Sequence, residues 1–218
     1  MAKKLKYDYI VIEGNIGTGK TSLAGRLSTD FNTRLILERF ADNPFLPLFY
    51  EQPQRYAFPL ELSFLADRYQ QLNDQLAPQE LFQQQTISDY LLSKSLIFAN
   101  ITLKNDENKL YQRLFHIINP HLPKPDILVY LHKDISRLKS NIKNRGRDYE
   151  KNITDDYLEN LEKGYWEFFK QQNGFPILII DTNNLDFLKS DSDYQKILDL
   201  LEVTYQPGIH RVLFESAF

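Results

Sequence analysis

Residues Gly14-Asn15-Ile16-Gly17-Thr18-Gly19-Lys20-Thr21 match the pattern G-x-x-x-x-G-K-[ST], and we call this stretch the phosphate loop. Residues 7–12 before it are typical of a buried strand, and residues 21–27 after it are typical of an amphipathic helix. Such a turn points several backbone N–H groups at one spot, where the helix N-terminus adds partial positive charge. Lys20 can reach phosphates and the Thr21 hydroxyl can ligate Mg²⁺, so the pattern predicts a nucleotide site. The alternative is a glycine-rich turn that binds nothing.

Strands and helices are predicted to alternate along the chain. Two late segments, 126–131 and 176–181, are almost continuously apolar, which is typical of central strands covered on both faces of a parallel sheet. Strand, crossover helix and strand imply an α/β doubly wound fold. The predicted strands are residues 7–13, 34–38, 84–88, 126–131 and 176–181, and the predicted helices are 19–30, 44–50, 57–76, 91–103, 106–120, 134–144, 154–172 and 192–203.

Size and composition favour one domain over residues 1–218, with no linker that would divide it. The net charge of −3 gives no basic field for a nucleic acid polymer. The absence of cysteine excludes disulfides, a thiol nucleophile and Cys-ligated zinc. No apolar run reaches the ~18 residues of a membrane span, and we expect a cytoplasmic protein. The four histidines show no metal-ligand spacing: His116, His121, His132 and His210.

Two acids lie at the ends of predicted strands, Glu38 at the end of the second and Asp89 at the end of the third. Ligands in such folds bind at the carboxyl ends of the strands, so both acids are expected to meet the phosphate loop in one crevice. Glu38 can take a proton from an attacking hydroxyl, or it can be a solvated acid at a strand end.

A basic, glycine-interrupted segment, residues 139–151, lies between two predicted helices. Phosphoryl transfer spreads negative charge that arginines neutralise. A lid at about 144–153 carrying Arg145 and Arg147 would do this and exclude water. A solvated basic loop is the alternative, which the phosphate loop upstream makes less favoured.

The helix at 57–76 carries Glu61 and Arg68, which are seven residues apart and therefore share a face. They can form an ion pair of little consequence, or the polar edge of a ligand pocket.

Together these residues resemble the deoxyribonucleoside kinases, a family with bacterial purine-specific members. The resemblance covers roughly residues 8–205. It rests on the phosphate loop, on Tyr50-Glu51-Gln52-Pro53 followed by Tyr56-Ala57-Phe58, on the Glu61/Arg68 spacing, and on Arg145-Gly146-Arg147 with Glu150, Ile153, Tyr157 and Leu158.

The resemblance implies a P-loop kinase fold, with a five-stranded parallel sheet between two layers of helices, a basic lid and a homodimer. It also implies transfer of a phosphoryl group from ATP, with Mg²⁺, to the 5′-hydroxyl of a deoxynucleoside.

On the nucleoside side, the resemblance makes Glu38 the general base and places Arg68 near the 5′-hydroxyl. Tyr50 and Glu150 match the pair that holds the sugar 3′-hydroxyl. Phe98 resembles the ring that stacks on the base.

On the donor side, Arg145 and Arg147 match the lid arginines on the phosphates. Asp186 and Phe187 fall where the family loop packs on adenine. Asp89, with Thr21, would serve Mg²⁺.

The chain departs from the family pattern after the third strand. An acid followed by Arg-Ser is usual there, but this chain has Ser88-Asp89-Tyr90. Lys94 would replace the missing arginine, or Arg68 would act alone.

The second departure is Glu61, where many members have glutamine. A carboxylate only accepts hydrogen bonds, which suits the two adjacent donors of guanine, although the adenine amine can also donate to it. The bacterial relatives that the chain resembles lean toward deoxyadenosine. We therefore predict a purine, with deoxyadenosine favoured and deoxyguanosine next.

Two other functions are compatible with a phosphate loop. A thymidylate-type nucleoside monophosphate kinase would need cations for the acceptor phosphate, and Arg55 and Arg68 are the candidates. A non-catalytic nucleotide-binding module would bind without turnover. A GTPase would need N-K-x-D, and the nearest string, 182–186, lacks the lysine.

Overall fold

A parallel sheet forms the centre of the computed structural model, which describes residues 4–40, 43–76 and 85–214. The strand order is β2-β3-β1-β4-β5-β6, and every neighbouring pair is parallel. The α/β class and the central position of the two apolar strands are therefore confirmed. The strands are β1 (Tyr9–Gly14), β2 (Arg34–Ile36), β3 (Thr86–Ser88), β4 (Ile127–His132), β5 (Pro176–Asp181) and β6 (Gly208–Val212).

Helices cover both faces of this sheet. The helices are α1 (Lys20–Phe31), α2 (Phe45–Glu51), α3 (Pro53–Leu76), α4 (Lys94–Thr102), α5 (Asn105–Ile118), α6 (Ile135–Arg145), α7 (Asp155–Gln171) and α8 (Asp191–Leu201). In β4, Val129 and Leu131 pack with α1 and α8, whereas Leu128 and Tyr130 pack with α7. This alternation buries both faces, which explains the continuous apolar runs of the central strands.

The sheet has a sixth strand, β6, which corrects the prediction of five. Among the described strands it pairs only with β5, and its residues alternate between half-buried and exposed. As a short edge strand that mixes Ile209 with His210 and Arg211, it lacks the apolar run that marks a central strand.

Element boundaries shift by a few residues from the prediction. Helix α3 begins at Pro53 and continues through Pro59, and β2 ends at Ile36. Part of the predicted strand 84–88 lies outside the described residues. The described parts of the chain include no helix that is both long and apolar enough to cross a membrane.

The predicted lid, at about 144–153, connects the C-terminus of α6 to the N-terminus of α7. Helix α6 ends at Arg145 and is capped by Gly146, which has φ 71° and donates its N–H to Ile142 O. Helix α7 begins after Thr154, whose side chain accepts from Tyr157 N at 3.2 Å. A short 3₁₀ turn, Asp148–Glu150, lies between them.

Candidate active site

The phosphate loop joins β1 to α1 with the backbone that its glycines allow. Gly14 has φ 153°, and a Cβ there would lie 2.7 Å from Leu131 O. The Lys20 ammonium lies 2.8 Å from Gly14 O and 3.0 Å from Asn15 O. Burial of this ammonium group lowers the pKa of Lys20 to about 8, and Lys94 contributes to the shift. Lys20 is therefore mainly cationic at neutral pH.

The two helices that bound the lid also hold the phosphate loop. Asn15 is buried and its Nδ2 donates to Leu158 O of α7 at 2.8 Å. Asn141 of α6 donates to Gly17 O at 2.8 Å. The phosphate loop is thus bonded to α6 and α7, the same two helices that the lid connects.

An open cavity of about 540 Å³ lies over the phosphate loop, a size suited to a nucleotide. Arg145 and Arg147 of the lid line it, as the lid prediction requires. Lys133 and Arg137 also line it, and neither was predicted from the sequence. The sequence feature that could have identified them is a pair of cations four residues apart, just after the fourth predicted strand.

The turn after β5 forms one wall of this cavity. Asp186 is exposed there, whereas Phe187 is only 3% exposed and packs beneath Gly19. Leu188, which was not predicted from the sequence, is exposed beside them and also lines the cavity. Arg26 of α1 holds the turn, because its Nη1 donates to the carbonyls of Phe187 and Leu188 at 2.8 and 3.4 Å.

The Asp89 side chain, which follows β3, connects residues that follow β1 and β2. We expected this contact because the three strands end at the same edge of the sheet. Its Oδ2 accepts from Thr21 Oγ1 at 2.5 Å and its Oδ1 accepts from Glu38 N at 2.7 Å. A hydroxyl beside a carboxylate fits Mg²⁺, which prefers oxygen ligands and keeps waters and phosphates in its shell. Within the described residues no cluster of three or more acids or histidines could hold a metal by itself.

Glu38 is held by two cations. Arg68 Nε and Nη2 lie 2.8 and 2.6 Å from its Oε1, and Lys94 Nζ lies 2.6 Å from its Oε2. Burial alone would raise the pKa of Glu38, but Lys94 and Arg68 outweigh it and hold that pKa well below its usual range. Glu38 is therefore an ionised, oriented carboxylate and not a solvated strand-end acid.

Arg68 has its ion-pair partner in Glu38. Its Nη1 also donates to Ser95 Oγ at 2.8 Å, and its guanidinium lies 4.7 Å from the centre of the Phe64 ring. The shared helix face of Glu61 and Arg68 is real, since both are buried in α3, but the ion pair that the sequence left open joins Arg68 to Glu38.

Glu61 is only 2% exposed and only partly satisfied. Its Oε1 accepts from Thr102 Oγ1 at 3.0 Å, whereas its Oε2 is buried without a partner among the described residues. Burial raises the pKa of Glu61 to about 7, opposed by Arg68 and by the bond from Thr102. A buried oxygen without a donor is costly, so a ligand donor at this point would be stabilising.

Tyr50 and Glu150 come together across α2 and the lid. Tyr149 stacks on Tyr50 with ring centres 6.1 Å apart. Burial, and then the charge of Glu150, raise the pKa of Tyr50, which keeps its hydroxyl protonated as a donor. Glu150 itself accepts from Arg145 Nη2 at 2.6 Å and from Arg147 Nη1 at 3.2 Å.

Phe98 is half-buried on α4, where the Lys94 ammonium lies 5.3 Å from its ring centre. The His132 ring contacts two acids that are not among the predicted site residues. Its ring nitrogens are 3.3 Å from Asp181 and 3.0 Å from Glu162, contacts that suit a structural histidine.

Glu13 is a further buried acid that was not predicted from the sequence. It is 1% exposed, and it accepts from Leu91 N at 2.8 Å and from Tyr165 Oη at 2.9 Å. Burial raises its pKa. The signal was a lone ionisable residue inside an apolar strand, directly before the phosphate loop.

Comparisons with known proteins agree with this geometry. The family model described as deoxynucleoside kinase matches residues 10–204. A deoxyguanosine kinase of Bacillus subtilis is 38% identical over 193 residues, which cover 87% of this chain and 93% of the relative. A deoxyadenosine kinase of Lactobacillus acidophilus is 30% identical over 203 residues, covering 87% of this chain and 92% of the relative. The structure of deoxyadenosine kinase from M. mycoides with bound dATP matches with a TM-score of 0.77 at 25% identity, over 89% of this chain and 100% of that one.

Proposed function

Because the chain belongs to the deoxynucleoside kinase family and is a kinase of deoxynucleosides, we propose that its preferred acceptor is a purine deoxynucleoside, deoxyguanosine before deoxyadenosine. The product is the 5′-monophosphate, with ADP released from ATP. The observation that carries the choice of base is the buried Glu61 carboxylate with its unpartnered Oε2.

The donor half of the reaction uses the cavity over the phosphate loop. Backbone N–H groups and Lys20 bind the phosphates, and Arg145 and Arg147 approach them from the lid. Thr21 and Asp89 would hold Mg²⁺, which neutralises phosphate charge when it is bound.

The acceptor half depends on Glu38. The 5′-hydroxyl donates to its carboxylate, the hydroxyl oxygen bonds to the γ-phosphorus, and the bond from that phosphorus to the oxygen of the β-phosphate breaks. The hydroxyl proton passes to Glu38. Since Arg68 and Lys94 make Glu38 a weak base, we propose that the proton moves late, after phosphorus–oxygen bonding has made the hydroxyl acidic.

Tyr50 and Glu150 would hold the 3′-hydroxyl, and Phe98 would stack on the base. For Tyr50 the support is that the charges of Glu150 and Glu61 both act on its hydroxyl. For Phe98 the support is the Lys94 ammonium, which lies 5.3 Å from the Phe98 ring centre and 2.6 Å from Glu38 Oε2.

The base is selected by hydrogen-bond pattern. Guanine presents N1–H and N2–H₂ as adjacent donors, and an ionised Glu61 only accepts. Adenine presents an acceptor at N1, which a carboxylate repels. The sequence favoured deoxyadenosine, with deoxyguanosine next. We propose the reverse order, which the buried, unpartnered Oε2 of Glu61 and the relatives named deoxyguanosine kinase support.

The test is a panel of the four deoxynucleosides, with ADP release and product analysis, on the wild type and Glu61→Gln. We expect the highest kcat/KM with deoxyguanosine, and a shift toward deoxyadenosine in the variant because an amide can donate to N1. A specificity profile that Glu61→Gln leaves unchanged would remove Glu61 as the reader of the base.

A nucleoside monophosphate kinase is not favoured. Arg68 is committed to Glu38, which leaves the exposed Arg55 as the one remaining cation of the two that the sequence offered for an acceptor phosphate.

We also propose a Mg²⁺ requirement, a homodimer and a cytoplasmic location. Titration of activity with Mg²⁺ against Ca²⁺, and light scattering of the purified chain, test the first two.

A further inference from the structure

We propose that Thr102 is a positioning residue that sets the choice between guanine and adenine, because its hydroxyl holds one oxygen of Glu61 and leaves the other to the base. The inference rests on the proposed role of Glu61 and adds a residue that neither the sequence motifs nor the comparisons identify.

Thr102 is the last residue of α4, and Glu61 lies in the neighbouring helix α3. The hydroxyl Oγ1 of Thr102 lies 3.0 Å from Glu61 Oε1 and 2.9 Å from Phe98 O. A hydroxyl has one proton, so it donates to only one of these oxygens at a time. The charged carboxylate is the stronger acceptor, and the proton therefore goes to Glu61 when Glu61 is ionised.

The other groups around Glu61 leave this role to Thr102. The Arg68 donors are directed to Glu38 and Ser95, and Tyr111 donates to the backbone oxygen of Glu61 at 3.2 Å. Within the described residues, Thr102 is the one hydrogen-bond donor to the Glu61 carboxylate. The charges and phenols that also act on or near this carboxylate are Arg68, Lys94, Glu38, Tyr50, Tyr111 and Tyr157.

Loss of the Thr102 hydroxyl would leave both carboxylate oxygens buried without a donor. Desolvation disfavours the charged form, so the protonated acid would be favoured. A protonated carboxyl group offers one donor and one acceptor, which is the pattern that adenine needs at N1 and its amine. The enzyme would then change preference without any change in a residue that touches the base.

The experiment measures kcat/KM for deoxyguanosine and for deoxyadenosine on each preparation of Thr102→Val, Thr102→Ser and Thr102→Ala. The ratio of the two values does not depend on the folded fraction, because both substrates are measured on the same sample. We expect the ratio to fall about tenfold in Thr102→Val, which loses a hydrogen bond to a charged group, and to stay at the wild-type value in Thr102→Ser. The pH at which the ratio rises should also move upward in Thr102→Val.

Thr29→Val is the matched control, because Thr29 makes the same bond to a helix carbonyl, Gly25 O at 3.0 Å, on the exposed face of α1. If Thr102→Val does not fold, Thr102→Ala gives the same comparison. An unchanged ratio in these variants, together with a changed ratio in Glu61→Gln, overturns the role of Thr102 alone. An unchanged ratio in Glu61→Gln overturns the role of Glu61, and the role of Thr102 with it. A ratio in Thr102→Ser as low as in Thr102→Val also overturns the proposal, because packing and not the hydroxyl would then be responsible.

Discussion

Lys94 Nζ lies 2.6 Å from Glu38 Oε2, so a lysine of α4 binds one oxygen of the proposed general base. Arg68 binds the other oxygen of the same carboxylate. The Glu38 carboxylate is therefore held by two cations from two different helices. Because both are almost fully buried, their charges act on Glu38 with little screening by solvent.

Replacement of Lys94 should change the pH range of activity. Glu38 must be ionised to accept a proton, and Lys94 and Arg68 hold its pKa low, so the wild-type carboxylate stays ionised well into the acid range. In Lys94→Met this pKa rises, and kcat/KM for the nucleoside should be lost at a pH about one unit or more above that of the wild type. Lys109→Met, at an exposed lysine of α5, is the control. If kcat/KM is lost at the same acid pH in Lys94→Met and in Lys109→Met, the prediction is contradicted.

Replacement of Glu38 should separate chemistry from donor binding. Glu38→Gln keeps the shape of the side chain but removes its charge, so kcat should fall by about 10²–10⁴. Affinity for a non-hydrolysable ATP analogue, measured by calorimetry, should be nearly unchanged. Glu107→Gln, on the exposed face of α5, is expected to match the wild type. Wild-type kcat in Glu38→Gln would remove the general-base assignment.

Base preference should depend on pH. The pKa of Glu61 is raised to about 7, so the carboxylate is protonated below neutral pH and ionised above it. An ionised Glu61 suits guanine and a protonated one suits adenine. The ratio of kcat/KM for deoxyguanosine to that for deoxyadenosine should therefore rise between pH 6 and pH 8, which is about one unit on either side of this pKa. A ratio that is flat over this range would show that Glu61 does not titrate in contact with the base.

Replacement of Arg26 should weaken the binding of ATP and leave the binding of the nucleoside unchanged. Arg26 donates hydrogen bonds to the carbonyls of Phe187 and Leu188. These residues belong to the turn that forms one wall of the cavity over the phosphate loop. Arg26→Ala should raise KM for ATP by about tenfold, the effect of lost charge-assisted hydrogen bonds, with kcat and the nucleoside KM little changed. Arg113→Ala, at an exposed arginine of α5, is the control for loss of charge. An equal fall in kcat would mean that Arg26 acts on more than the donor wall.

Two glycines offer a paired test of the phosphate loop. In Gly14→Ala the new Cβ would lie 2.7 Å from Leu131 O, a backbone atom of β4 that cannot move cheaply. We expect loss of ATP binding and a loss of about 2–4 kcal/mol in the free energy of unfolding. Gly25 lies inside α1, and apart from its chain neighbours and the adjacent backbone of its own helix no atom lies within 4 Å of the position that an added methyl group would take. Gly25→Ala should therefore stabilise the chain by about 0.5–1 kcal/mol. Thermal unfolding of both variants, with ATP titration, checks the pair.

The sequence by itself determined the phosphate loop, the order of strands and helices, and the α/β class. These features arise from local patterns: glycines where φ is positive, apolar runs in β4 and β5, and a capping residue at Thr154. It could not determine β6, because a half-exposed edge strand takes its stability from β5 and not from its own composition.

Only the tertiary structure decided which charges meet. Lys94 and Glu38 are 56 residues apart, and Thr102 and Glu61 are 41 apart. No local pattern fixes such pairs, because they depend on how α3 and α4 pack over the ends of the strands. The surroundings then set the protonation of two buried glutamates in opposite directions. Two cations hold the pKa of Glu38 well below its usual range, whereas burial raises the pKa of Glu61 to about 7.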